Sequence, residues 1–214
     1  MLFALSPIFG AKRLTIVALG DSTTAGTPHF RSPVEVPPDG EGDEEGQYAY
    51  WMMRKKPEWK VHNCGVAGER TEQIRARLEE TVNRYRPRYV IILGGVNDIA
   101  HGYPLEAIGR NLEYMYEQCK LRGTIPIAST ILPWDDATPQ QAQAIGVLNR
   151  WIEKTADRLR IPFVDLNEVA RDANDPKRLS GTPDGIHPDV GGHRAMGHRL
   201  VTAIEKLESS LPRH

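Results

Sequence analysis

The chain has 214 residues, 40% of them hydrophobic and 26% charged, with a formal net charge of −1. That length favours a single domain, and the apolar share suffices for a core. The near-neutral balance gives no support to a nucleic-acid or general membrane-surface partner. Cys64 and Cys119 are the only cysteines. They are too few for a disulfide framework, lack the paired spacing of a metal site, and read as two half-buried thiols.

No apolar run approaches the roughly 20 residues that span a bilayer, so no transmembrane segment is expected. The first nine residues, MLFALSPIF, are apolar, but Pro7 interrupts them. Lys12 and Arg13 follow them instead of preceding them, the wrong order for a secretory signal. Cytoplasm is the expected compartment. Residues 1–13 read as an N-terminal extension and 14–210 as one domain.

In chain order, LTIVALG (14–20) is the first strand. Residues 27–47 are rich in Pro, Gly and acid and have no periodicity, so they read as a long insertion loop, functional or mobile. The acidic run within it is most simply solvated. Tyr48, Tyr50 and Trp51 follow, read as a core anchor in preference to a lid hinge. KVHNCG (60–65) is the second strand. Residues 71–85 form a helix with Thr71 as N-cap and Ile74, Leu78 and Val82 on one face. RYVIILGG (88–95) is the third strand. Residues 105–121 are a helix carrying Leu105, Ile108, Leu112, Met115 and Cys119. TIPIAST (124–130) is the fourth strand, and 138–159 a helix with Pro139 in its first turn. IPFVDL (161–166) is the fifth strand, and a last helix covers about 190–208. Strands one, three and four are continuous or nearly so, as parallel strands buried on both faces are. The alternation implies an open parallel sheet with helices on both faces. Such sheets form sites beyond their strands' carboxyl ends. Ser22, Gly68, Asn97 and Trp134 all follow strand ends, so one rim collects them.

Four short blocks carry the chemistry. GDST places Ser22 on a tight turn, where it is either a nucleophile or a helix cap. It is neither a GxSxG elbow nor a phosphate loop. DGIHP holds Asp184 three residues before His187. If the chain turns there, the carboxylate can accept from imidazole Nδ1–H. In NCGVAGERT, Gly68 lets its backbone N–H approach a ligand closely. In LGGVNDI, Asn97 can aim its amide at a developing oxyanion while Asp98 fixes the loop. Each block alone has a plain structural reading as a turn or cap.

Together, GDS, a Gly-centred block, GxND and DxxHP resemble the SGNH hydrolases, also called the GDSL esterase/lipase family. The resemblance spans about residues 14–200. It implies a three-layer α/β/α sandwich with a five-stranded parallel sheet in flavodoxin-like order. It implies Ser22 as nucleophile, His187 as general base and then acid, and Asp184 as orienter of His187. The implied oxyanion hole is the N–H of Ser22, the N–H of Gly68 and the side chain of Asn97. No metal and no organic cofactor are implied. The chain departs from the family in reading GDSTTAG, not GDSL. The 27–47 insertion, which many relatives lack, bears on substrate access and not on the chemistry.

His193 and His198 lie five apart on the last helix and do not share a face as metal ligands would. His29, His62 and His101 have no partner in sequence. Trp134 is open to walling the substrate pocket or to being a surface aromatic. The expected substrate is a small-molecule ester, of short acyl or acetyl type, with acetylated carbohydrate included. The competing readings are a lysophospholipase or thioesterase of longer acyl chains, and a non-catalytic ligand-binding module on the same fold. Activity is expected to fall as pH drops through the ordinary imidazole range, roughly 6.5. Residues 1–12 and the 27–47 segment leave a homo-oligomer open.

Overall fold

The computed structural model describes residues 13–26 and 30–210. Residues 1–12, the bulk of the expected extension, lie outside them, as does His29. The elements run β1 (Thr15–Gly20), α1 (Ser22–Ala25), β2 (Phe30–Arg31), β3 (Glu41–Gly42), a 3₁₀ turn (Glu44–Gly46), α2 (Tyr48–Lys55) and β4 (Lys60–Gly65). Next come α3 (Thr71–Ala76), α4 (Leu78–Tyr85), β5 (Tyr89–Leu93), α5 (Val96–Ala100), α6 (Leu105–Leu121) and β6 (Ile125–Ser129). The chain continues through α7 (Pro139–Leu159), β7 (Phe163–Val164), α8 (Asn167–Ala170) and α9 (Val190–Ser210).

Five strands form one parallel sheet in the order β4-β1-β5-β6-β7. Counting only those five, this is the flavodoxin-like order 2-1-3-4-5. Ile16 to Leu19 and Tyr89 to Ile92 are fully buried. Their unbroken apolar runs reflect helices on both faces of the sheet. α2 and α9 pack together on one side, and α3, α4, α6 and α7 pack on the other. The register levels the strand ends, with Gly20 opposite both Gly65 and Leu93. Segments leaving β1, β4 and β5 therefore start from one rim.

Four local expectations change. The 71–85 pattern is two helices broken at Arg77, whose φ of −101° and ψ of 0° are not helical. Thr71 is the first residue of α3 and not its cap, which is Arg70. Its hydroxyl is engaged instead by Asp98 Oδ1 at 2.7 Å. The fifth strand shrinks to two residues. Cys64 and Cys119 are buried, not half-buried, and burial pushes their thiols up to about 11 and about 12.

The described part of 27–47 is not structureless. It holds the antiparallel β2–β3 ribbon and the 3₁₀ turn. Ser32 Oγ donates to Gly65 O at 2.5 Å, and Glu35 accepts from Ala67 N–H at 3.0 Å. Tyr48 is a core anchor, wholly buried with its hydroxyl 3.1 Å from Thr24 Oγ1. Among the described residues, no helix is long and apolar enough to cross a membrane.

Candidate active site

β1 turns directly into α1. Asp21 caps that turn, its Oδ1 accepting from Thr23 N–H at 3.0 Å, and Ser22 becomes the first helical residue. The end of β4 presses against the same turn. A Cβ on Gly65 would stand 2.0 Å from the backbone nitrogen of Ala25, so only glycine permits the approach. Asn63 Nδ2 donates to Ala25 O at 2.9 Å and to Gln47 Oε1 at 2.6 Å. Ser22 is thus held on rigid structure and is 7% exposed.

His187 arrives from the far end of the chain, on the loop before α9. Asp184 Oδ1 accepts from the backbone N–H groups of Ile186 at 2.9 Å and His187 at 2.8 Å, which closes the turn. Asp184 Oδ2 is 2.7 Å from His187 Nδ1, and His187 Nε2 is 2.9 Å from Ser22 Oγ. Burial pushes the Asp184 carboxyl up, but hydrogen bonds from the His187 ring and the turn's N–H groups outweigh it and hold the group near 2. An ionised carboxylate on Nδ1 keeps the proton there and leaves Nε2 to accept. The loop is anchored to the segment after β6. Asp135 Oδ2 accepts from Arg178 Nη2 at 2.7 Å and its Oδ1 from Leu179 N–H at 3.0 Å. The Asp135 N–H donates to Gly185 O at 2.7 Å.

Asn97 sits at the start of α5 and donates from Nδ2 to Glu69 O at 2.9 Å. An amide nitrogen has two N–H donors, so one remains for a ligand. Asp98 is buried and its Oδ2 accepts from Thr71 N–H at 2.9 Å, which joins α5 to α3. Gly68 has φ of +76°, and a Cβ there would meet nothing within 4 Å. The left-handed backbone, and not crowding, favours glycine at that position.

A cavity of about 170 Å³ opens beside these groups. Ser22, Asn97 and His187 line it together with Leu93, Val96, Leu132, Trp134 and Ile186. Trp134 is 8% exposed, so it is no surface aromatic. The structure therefore gathers Ser22, Asp184, His187, Asn97 and Trp134. Gly68 stands outside the cavity lining and connects to it through its neighbour Glu69. None of the described residues of the 27–47 segment lines the cavity. A larger cavity of about 280 Å³, between α7 and residues 171–177, includes neither Ser22 nor His187. His193 is buried and His198 exposed, and no group of three or more His, Cys, Asp or Glu among the described residues is placed to hold a metal ion.

Two residues went unnoticed in the sequence. Burial pushes the Asp21 carboxyl up to about 7, a rise the nearby Asp98 and Glu69 reinforce and the Thr23 N–H partly offsets. Among the described residues, its buried Oδ2 has no hydrogen-bond partner. Arg77, in the break between α3 and α4, sends its guanidinium to the carbonyls of Gly20 and Cys64. Nothing in the 71–85 pattern signals that role, because the apolar spacing continues through the break.

An α/β/α sandwich with a hydroxyl, an imidazole and a carboxylate in line at its carboxyl rim is built as a hydrolytic enzyme. The GDSL-like lipase/acylhydrolase family model matches residues 18–195, and the chain belongs to that family. It is a carboxylic ester hydrolase. An acetylxylan esterase of Geobacillus stearothermophilus is 26% identical over 161 residues, 68% of this chain and 72% of its own length. The thioesterase 1/protease 1/lysophospholipase L1 of Escherichia coli K12 is 22% identical over 197 residues, 90% of this chain and 84% of its own. The crystal structure of a GDSL-like lipase from Bacteroides thetaiotaomicron VPI-5482 superposes with a TM-score of 0.71 at 24% identity, covering 90% of this chain and 88% of that one.

Proposed function

We propose that the chain hydrolyses short-acyl carboxylic esters, acetyl esters of carbohydrates foremost, through an acyl-enzyme on Ser22. The observation that carries this reading is the unbroken line Asp184–His187–Ser22, at 2.7 and 2.9 Å. Ser22 Oγ attacks the carbonyl carbon as His187 Nε2 takes its proton. The bond to the leaving alcohol then breaks, and His187 returns that proton to the departing oxygen. Water attacks the acyl group with His187 again as base, releasing the acid and restoring Ser22. Charge on the carbonyl oxygen is received by the N–H groups of Ser22 and Gly68 and by Asn97 Nδ2. Such donors act because they are fixed before charge develops.

The cavity supports the short acyl group. At about 170 Å³ it has room for a small acyl group beside Ser22. Its apolar lining suits a hydrocarbon chain, and Trp134 forms part of its wall. The likeness to an acetylxylan esterase points to acetylated carbohydrate as the alcohol part. The likeness to a thioesterase/lysophospholipase, which covers more of this chain, favours the second reading, a longer acyl chain leaving by the cavity mouth.

Hydrolysis of p-nitrophenyl acetate, p-nitrophenyl decanoate and acetylated sugars, with Ser22→Ala as the blank, tests both. Faster acetate cleavage supports the first reading, and faster decanoate cleavage the second. Failure of a fluorophosphonate to label Ser22 in the folded protein would overturn the acyl-enzyme.

A further inference from the structure

Arg77 is spent inside the fold. Its Nη2 donates to Gly20 O at 2.8 Å and its Nη1 to Cys64 O at 2.6 Å. Gly20 is the last residue of β1 and Cys64 the next to last of β4, so one planar fork bridges the carboxyl-terminal ends of two strands. Its Nε donates to Glu69 Oε2 at 2.7 Å, and the two side chains are only 18% and 14% exposed. Glu69 follows Gly68 directly, and its carbonyl takes Asn97 Nδ2 at 2.9 Å. The strand end two residues before Ser22, the Gly68 loop and the Asn97 amide are therefore tied to a single cation.

We propose that Arg77, acting with Glu69, is a positioning residue: it sets the distance between the Ser22 nucleophile and the two donors, Gly68 N–H and Asn97 Nδ2, that receive the carbonyl oxygen. The proposal rests on the ester-hydrolysis reading above. Oxyanion donors need placement within about 0.5 Å. A misplacement of about 1 Å can cost roughly a hundredfold in rate. Neither donor sits on the same element as Ser22, so their spacing must be fixed by something that touches both sides. Arg77 touches both. A lysine carries the same charge but concentrates it at one point, so it cannot meet three acceptors in the plane of a fork.

The test is kinetic, with p-nitrophenyl acetate, on Arg77→Lys and Arg77→Gln made in the wild-type and in the Asn97→Ala protein, with thermal unfolding measured alongside. In the wild-type background kcat is expected to fall about tenfold or more, with KM within about twofold, the signature of an interaction made in the transition state. In the Asn97→Ala background the same substitutions are expected to cost clearly less than in the wild type, because one of the two donors they aim is already gone and only the placement of Gly68 remains to be lost. Equal losses in both backgrounds overturn the proposal, as do an unchanged kcat or a loss confined to KM. Should the Arg77 variants fail to fold, Glu69→Gln replaces them. It leaves Arg77 on both strand carbonyls, loosens only the loop, and is expected to show the same non-additivity with Asn97→Ala. A wild-type protein that cleaves no ester overturns the function reading and this proposal together. An active wild type with additive variants overturns this proposal alone.

Discussion

Nε2 of His187 stands 2.9 Å from Oγ of Ser22, across 165 residues of chain. Both ends of that contact are held independently of it. Ser22 is fixed by the Asp21 cap and by the close approach of Gly65, and His187 by the turn that Asp184 closes. The contact is therefore preorganised, and substrate need not assemble it.

Asp184→Asn isolates the orienting carboxylate. The amide oxygen can still accept from the N–H groups of Ile186 and His187, so the turn survives. Its NH₂ then faces Nδ1, which must accept, and the ring proton moves to Nε2. An imidazole protonated there cannot take the Ser22 proton. The expected loss in kcat is about ten-thousandfold, with little change in Tm. A loss under tenfold removes Asp184 from the role.

Asn97→Ala removes the side-chain amide proposed as an oxyanion donor. The expected fall in kcat is about a hundredfold or more, equivalent to roughly 2.7–4 kcal/mol of barrier, with KM little changed. A loss below about threefold would exclude Asn97 from the oxyanion hole.

Asp21 makes stability depend on pH. An unfolded chain releases this proton near 3.8, whereas the folded protein keeps it to about 7. Between those values the native state binds more protons, so this group's contribution to stability falls as pH rises. Asp21→Asn keeps an oxygen for the Thr23 N–H and cannot ionise. The Tm of the variant minus that of the wild type is expected to grow between pH 5 and pH 8. A constant difference would show that Asp21 is ionised throughout.

Trp134→Ala enlarges the cavity wall beside Ser22. The ratio of kcat/KM for p-nitrophenyl octanoate to that for the acetate is expected to rise, as the pocket gains room for methylenes. Removing so large a buried side chain also costs about 3–5 kcal/mol of stability, so Tm should fall. A ratio that does not move places the acyl chain elsewhere.

The sheet and the long helices were readable because their signals are local. The β1 and β5 runs are apolar without a break, since helices cover both faces. Thr138 and Pro139 mark the start of α7, where Thr138 Oγ1 accepts from Gln141 N–H at 3.2 Å. Ser22, Asp184, His187 and Asn97 stood out only as a set, because GDS, GxND and DxxHP in that order resemble the SGNH hydrolases, whereas each block alone reads equally as a turn or a cap. Arg77 was hidden because Ile74, Leu78 and Val82 keep helical spacing across the break, so periodicity ran on where the backbone did not. Asp21 was hidden because a capping aspartate and a buried, neutral one have the same sequence. The 27–47 segment looked featureless because its ribbon strands are two residues each, too short for alternation to register. The cavity lining, Leu93 and Ile186 among it, depends on how separate loops converge, and no single stretch of chain encodes that.

Asp135 belongs to the stretch just past β6 that contributes Leu132 and Trp134 to the cavity, yet it grips Arg178, Leu179 and Gly185 on the loop that carries the His187 imidazole. Selectivity and reactivity thus share one hinge of the architecture. A lineage that remodels this stretch to admit a different acyl group risks dislodging the proposed base, so new substrate preferences are more easily gained through Val96, on α5, than by rewriting residues 132–135.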